Sequence, residues 1–467
     1  MMTTDWQRRR FLRLGSGTLA GAGLALGANP LLTLAQASDG LLADGDDYRA
    51  LVCVYLEGGC DGFSLLVPTG TVEHAAYARS RGTLALDRGR LLMLSQQGGA
   101  SVGGSSGSEQ AVGLHPGARD LEPLFDEGRL AMIANVGNLV QPTTREQYEA
   151  QSVALPAQLF SHADQAIQWQ QLQGRNRGTE GWGARAATEL SREHAQRSHL
   201  TSISMAGSNY WQSSKGQRPY AMKDTGVIGY NGLDASSGWQ KPRHEAFRRV
   251  LEHERHNLFA DAYADLQKRA LQITGELGEV LEQESGRVAS PPPENPLAAR
   301  LGMVARMVAA RGSLGMHRQI FYVRMNGFDV HDNQNKEMPE LFAALGEALA
   351  YFQSTLDGLG ESANVTTFTA SDFGRSLNSN GDGTDHGWGN HLMAMGGAVS
   401  GGRVIGQMPV LDVDGPDSVQ NGRILPTLAA PQYAATLLRW IGLDDEQLRD
   451  VLPTLANFSE HDLGFMT

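Results

Sequence analysis

The chain has 467 residues, 41% of them hydrophobic, with 39 lysines and arginines against 51 aspartates and glutamates, for a formal net charge of −12. This acidic balance argues against DNA or RNA as a partner, because neutralising phosphates needs clustered Lys and Arg. Length and apolar content allow a large core, and no disulfide scaffold is expected: Cys53 and Cys60 are joined by a segment that spans roughly 23 Å when extended, beyond disulfide reach.

The N-terminus reads as an address rather than as part of the fold. Arg8-Arg9-Arg10-Phe11-Leu12-Arg13 fits the twin-arginine export pattern, an uncharged stretch follows from Leu14, and Ala35-Gln36-Ala37 supplies an A-x-A cleavage site. Five glycines and Pro30 make the stretch a poor permanent span, which needs ~20 predominantly apolar residues. Residues 1–37 are therefore expected to be a twin-arginine signal peptide, with an uncleaved anchor as the lesser alternative. The expected location is periplasmic or secreted, with no stable membrane span after cleavage.

From residue 38 to 467 a single domain is expected. Residues 49–56 (RALVCVYL) and 130–136 (LAMIANV) are nearly continuous apolar runs, as in strands buried on both faces. Segments 117–128, 160–172, 182–190 and 336–356 read as helices. Segments 201–205, 317–325 and 364–371 read as strands, the last rich in β-branched residues. Strand and helix in alternation predict an α/β fold, a mostly parallel central sheet with helices on both faces. Residues 98–113 (GGASVGGSSGSEQAVG) read as flexible loop. In 244–285, Phe247, Val250, Leu251, Leu258 and Phe259 recur at helical spacing before SPPPENP (290–296) interrupts the pattern. A helical insertion over about 240–315, packed on the main domain, is the expectation.

Polar groups collect where strands end. The first strand runs into Glu57-Gly58-Gly59-Cys60-Asp61-Gly62, and the strand at 317–325 into Asn326-Gly327-Phe328-Asp329-Val330-His331-Asp332-Asn333. The strand at 364–371 runs into Asp372-Phe373-Gly374-Arg375, followed by Asp385-His386-Gly387-Trp388-Gly389-Asn390-His391. In open parallel sheets ligands gather at the carboxyl edge of the strands. Asp and His without a nearby thiolate suit a divalent ion such as zinc or manganese. A single Asp after a strand is more often a cap or turn former, but four strand ends in succession favour a shared site. Residues 378–383 (NSNGDG) resemble the opening of a calcium loop, although its twelfth position is Gly389 rather than Glu; calcium is the alternative ion.

GGCDG, GFDVHDNQ, TASDFGRS, DHGWGNH and the tail APQYAATLLRWIGL together resemble the exported bacterial proteins grouped as domain of unknown function 1501, over roughly residues 48–460. That family in turn resembles the alkaline phosphatase-like superfamily of phosphatases, phosphodiesterases and sulfatases, which bind two metals at strand ends. By that resemblance Asp61, Asp329, His331, Asp372 and His386 are metal ligands, with Asp385 and His391 as further candidates. Ser161, at a helix start that favours an anion, falls where the superfamily nucleophile would be, beside His162; its other reading is a helix cap. Arg375 is a candidate for bidentate capture of a substrate anion, or else an ion-pair residue. Two departures stand out: Phe373 replaces the imidazole of an Asp-His-Gly turn, and Asp329 and His331 are more closely spaced than usual. Either the second metal site is rebuilt from His391 or Asp385, or one metal binds. The resemblance implies a metal-dependent hydrolase of small anionic phosphate or sulfate esters. The alternative is a catalytically reduced protein that keeps the fold and binds an exported partner.

Overall fold

The computed structural model describes residues 47–96, 102–104, 109–175, 178–192, 198–229, 238–239, 241–253 and 257–467. The expected signal peptide lies outside the described residues. Asp47–Thr467 is one compact unit.

Its main sheet has ten strands: β1 (Arg49–Leu56), β2 (Leu130–Gly137), β3 (Ser202–Ser204), β4 (Tyr220–Lys223), β5 (Gly226–Val227), β6 (Arg318–Met325), β7 (Val365–Ser371), β8 (Asn390–Met395), β9 (Arg403–Ile405) and β10 (Leu428–Ala429). They lie in the order β5-β4-β3-β6-β1-β7-β8-β2-β9, with β10 also pairing β2. The sheet is mostly parallel. The exceptions are the β4–β5 hairpin at one edge and β8, which runs antiparallel between β7 and β2.

β1 shows why the sheet is buried on both sides. Ala50, Val52, Val54 and Leu56 enter one core, while Leu51, Cys53 and Tyr55 enter the other, following the two-residue alternation of a strand. The first core is completed by helix α1 (Pro296–Ala309), through Leu301, Val304 and Val308, and by α2 (Gln334–Leu359), through Phe342, Leu345, Leu349 and Phe352. The second is completed by α3 (Ala430–Ile441), through Tyr433, Leu437 and Ile441. Each fully buried side chain of this size contributes roughly 1.5–3 kcal/mol. Cys53 and Cys60 are buried and unbridged.

Two expectations need correction. The helical segment expected as one insertion over 240–315 divides: Lys241–Glu252 and Leu258–Gln283 expose much of their surface, whereas α1 is an integral core helix. Asn295 caps α1 through Ala298 N–H, and Pro296 occupies its first turn, where the missing N–H costs nothing. The segment expected as loop at 98–113 includes paired strands at Val102–Gly103, Glu109–Gln110 and Val112–Leu114.

Register places the functional edge. Leu56 lies opposite both Met325 and Ser371, so β1, β6 and β7 end level with one another. The segments that follow them emerge side by side, and Glu57 N–H donates to Met325 O while Phe328 N–H donates to Glu57 O.

Candidate metal centre

Three residues converge at this edge. Asp329 and His331 come from the segment between β6 and α2. His386 comes from the hairpin formed by Arg375–Ser379 and Thr384–His386 after β7. His331 Nε2 is 3.0 Å from Asp329 Oδ1, His386 Nε2 is 3.3 Å from the same oxygen, and the two imidazole nitrogens are 3.2 Å apart. Among the described residues this is the one group of three or more His, Cys, Asp or Glu close enough to hold a cation.

The triangle fits a divalent ion. Bonds of ~2.0–2.1 Å in a tetrahedral zinc site put ligand atoms ~3.3 Å apart, and the observed separations are near that edge. Tautomers agree. His386 Nδ1 donates to Phe160 O at 3.1 Å, which leaves Nε2 as a lone pair facing the triangle, the usual orientation of a ligating imidazole. His331 Nδ1 lies 3.6 Å from Asp385 Oδ1, so Asp385 sits behind His331 rather than in the triangle. The side chains of His331 and Asp329 are 41% and 45% exposed. A three-ligand site open to solvent is the arrangement of catalytic rather than structural zinc.

Electrostatics favour the same protonation states. Burial would raise the Asp329 carboxyl, but Arg375, by hydrogen bond and by charge, and then His331 and His386 bring it below the usual carboxylate range. Burial lowers His386 below an ordinary imidazole, the Phe160 bond opposing this and the Arg375 charge adding to it. Asp329 ionised and His386 neutral is what a cation requires.

Arg375 corrects an expectation. Its side chain is fully buried, and all five N–H groups find protein acceptors: Thr384 Oγ1, Gly58 O, Asp329 Oδ1, Val330 O and Thr384 O. No donor remains for a substrate anion. Arg375 instead anchors Asp329 and ties the hairpin to the 326–333 segment.

Asp61 and His391 are not brought into the triangle. Asp61 is fully buried; its Oδ1 accepts from Arg81 Nη2 at 2.6 Å and its Oδ2 from Gln334 Nε2 and Ser64 Oγ at 2.6 and 2.7 Å. Gln334 Oε1 accepts in turn from Thr384 Oγ1, which also meets Arg375, so Asp61 supports the site through a chain of bonds. His391 lies within β8, its ring edge-on to Phe63 and its Nδ1 accepting from Asn135 N–H at 3.1 Å. Burial lowers its pKa to about 3, so it is a neutral core histidine.

A second group flanks the triangle. Asp372 is buried and accepts from Tyr55 OH and Gly58 N–H, and burial pushes its carboxyl up. His162 Nε2 is 3.6 Å from Asp372 Oδ2. The His162 ring lies 5.7 Å from that of His386, and Phe373 packs against both, its ring centroid 4.6 Å from that of His386 and 5.5 Å from that of His162. Where the superfamily resemblance implies an imidazole, an apolar ring fills the space. Ser161 occupies the N-cap position of the helix His162–Gln171 but makes no capping bond; its hydroxyl donates to Asp164 Oδ2 at 2.6 Å.

Arg423 was not foreseen. Its Nε donates to His386 O at 2.8 Å and Nη1 to Gln420 O at 3.1 Å, and its guanidinium lies over the Phe160 ring at 4.3 Å. The Nη2 amino group hydrogen-bonds no described residue, and the Asp385 carboxylate lies near enough to favour the charged guanidinium against its burial. No local motif announces it, because its partners at 160 and 386 are distant in sequence.

These features define an α/β protein carrying an open Asp–His–His cluster at the carboxyl edge of a mostly parallel sheet. The chain belongs to the family described as Protein of unknown function (DUF1501), whose model matches residues 48–451. No curated protein matches it in sequence. Solved structures similar to it include Ps i-CgsB, at 12% identity and a TM-score of 0.33, covering 88% of this chain and 76% of that one. Another is the PsFucS1 sulfatase from Pseudoalteromonas sp., at 10% identity and 0.32, covering 90% and 73%. A variant of alkaline phosphatase PafA follows at 13% and 0.25, covering 72% and 64%.

Proposed function

We propose that the protein is an exported hydrolase of phosphate or sulfate esters that uses one divalent cation, zinc or manganese, held by Asp329, His331 and His386. The observation that carries this reading is the solvent-open triangle of one carboxylate oxygen and two imidazole nitrogens, with His386 oriented from behind by Phe160 O. When bound, such an ion supplies Lewis acidity to an ester oxygen. Arg375 keeps Asp329 ionised and in place. Arg423 presents its free amino group to the anionic part of the ester. His162, half-exposed and next to Asp372, is placed to hold a proton for the departing oxygen. Ser161, whose hydroxyl donates to the Asp164 carboxylate, is the candidate for nucleophile. The twin-arginine pattern at residues 8–13 supports delivery to the periplasm, and among the described residues no helix is long and apolar enough to cross a membrane.

A second reading, a binding protein that keeps the fold without turnover, is favoured by Phe373, which fills the space beside His386 with an apolar ring. The two are separated by assaying the purified full-length protein on aryl phosphate, phosphodiester and aryl sulfate substrates with zinc, manganese or calcium. Metal-dependent turnover that disappears in His386→Ala is the expected result. Stoichiometric metal without turnover on any of the three would leave the binding role.

A further inference from the structure

Next to the triangle lies a groove of about 500 Å³, within the usual range for small-molecule sites. We propose that it is the subsite for the organic part of the ester and that it takes a bulky, flat apolar group, an aryl alcohol rather than a polyhydroxylated ring. This assignment rests on the hydrolase reading above.

Three observations carry it. First, the groove is lined by Tyr148, Leu155, Pro156, Leu159 and Phe160 together with Glu149, Gln151 and Gln420. This lining combines aromatic and aliphatic surface with polar side chains and contains no cation. The carboxylate at the margin, Glu149, is engaged by Arg145 at 2.8 Å. An anion would find nothing to pair with inside the groove, whereas an uncharged ring would remove apolar surface from water.

Second, the groove and the triangle share structure. Phe160 lines the groove, and its carbonyl accepts the His386 Nδ1 proton. Arg423 joins the two, bonded to His386 O on one side and Gln420 O on the other, while stacked on Phe160. A ligand with its ring against Phe160 would therefore have its anionic end beside the free Arg423 amino group and the triangle.

Third, the wall is held in an uncommon conformation. Gln151, Gln158 and Phe160 have φ of 50°, 51° and 71°. Left-handed backbone at non-glycine residues is sparse in proteins and collects at ligand-binding segments. Phe160 adopts it with its ring between Trp388 and Arg423, which fixes where both ring and carbonyl point.

The test uses three non-hydrolysable probes, 1-naphthylphosphonate, methylphosphonate and a hexose phosphonate, titrated calorimetrically into the full-length protein with zinc or manganese present and again after chelation. The naphthyl probe is expected to bind at least about tenfold more tightly, ~1.4 kcal/mol. Leu159→Asp and, separately, Leu155→Ser are expected to cut that preference to below about threefold without changing bound metal. Equal affinity for the naphthyl and methyl probes, a preference unchanged in both variants, or tighter binding of the hexose phosphonate would overturn the assignment. Naphthyl preference without turnover of any ester would leave the groove assigned and remove the hydrolase reading instead.

Discussion

Arg375 and Arg423 carry the same charge and stand on either side of His386, yet only one of them has a donor to spare. Arg375 is saturated and fully buried, so Arg375→Lys cannot replace five directed N–H groups. Leaving the buried carbonyls of Gly58, Val330 and Thr384 without some of these donors costs roughly 1–3 kcal/mol, and the chemical denaturation midpoint should fall accordingly. Asp61→Ala would leave Arg81 buried and uncompensated. A loss of ~3–5 kcal/mol in urea unfolding is expected there, and no loss of stability would mean that the Asp61–Arg81 pair is misassigned. His391 adds a pH dependence. Its imidazole titrates near 6.5 when unfolded and at about 3 in the fold. Above the unfolded value the residue is neutral in both states. Below it the unfolded chain binds a proton that the folded chain refuses, so stability is lost at about 1.4 kcal/mol per pH unit as the pH falls toward 3. His115, lowered by burial to about 4, adds a similar slope. Unfolding curves at pH 7 and pH 5 should differ in this direction, and His391→Gln should flatten the difference. At this scale the sequence is a partial guide. It marks Asp329, His331 and His386 as chemistry-bearing because glycines and strand ends surround them. It does not distinguish them from Asp61 or His391, whose burial depends on Arg81 and on Asn135, the latter 256 residues away in sequence.

At the scale of elements, the level ending of β1, β6 and β7 turns three separate segments into one edge. β1, Trp182–Leu190 and β7 are legible from composition because apolar runs and helical spacing decide them locally. β8 is not: Asn390–Met395 follows a glycine-rich stretch, and its antiparallel placement between β7 and β2 depends on partners far along the chain. The glycines explain themselves only in three dimensions. At Gly58, with φ +114°, a Cβ would stand 2.3 Å from Asp329 N. Gly58→Ala should therefore shift Asp329 and weaken metal binding, with a backbone cost of about 1–3 kcal/mol. Metal affinity equal to that of the unsubstituted protein would show that the 57–62 segment does not set the Asp329 position. The helix Leu258–Gln283 behaves differently. Leu266 is 61% exposed there, so Leu266→Lys should change unfolding free energy by no more than about 0.5 kcal/mol.

At the scale of the whole molecule, a two-faced core supports a polar edge without help from disulfides. Two parts of the organisation escape a local reading. One is the split of the 240–315 segment, since only burial against β6 and α2 makes α1 part of the core. The other is the setting of Phe373: the sequence shows the loss of an imidazole, but only the fold shows the ring that replaces it packed against both His162 and His386. The most direct test of the account is the metal content of the purified full-length chain after dialysis against zinc or manganese, measured by mass spectrometry. About one ion per chain is predicted by the three-ligand site, lost in Asp329→Asn, His331→Ala and His386→Ala and kept in His391→Gln. A metal-free native protein, or one that keeps its ion when all three ligands are replaced, would contradict it.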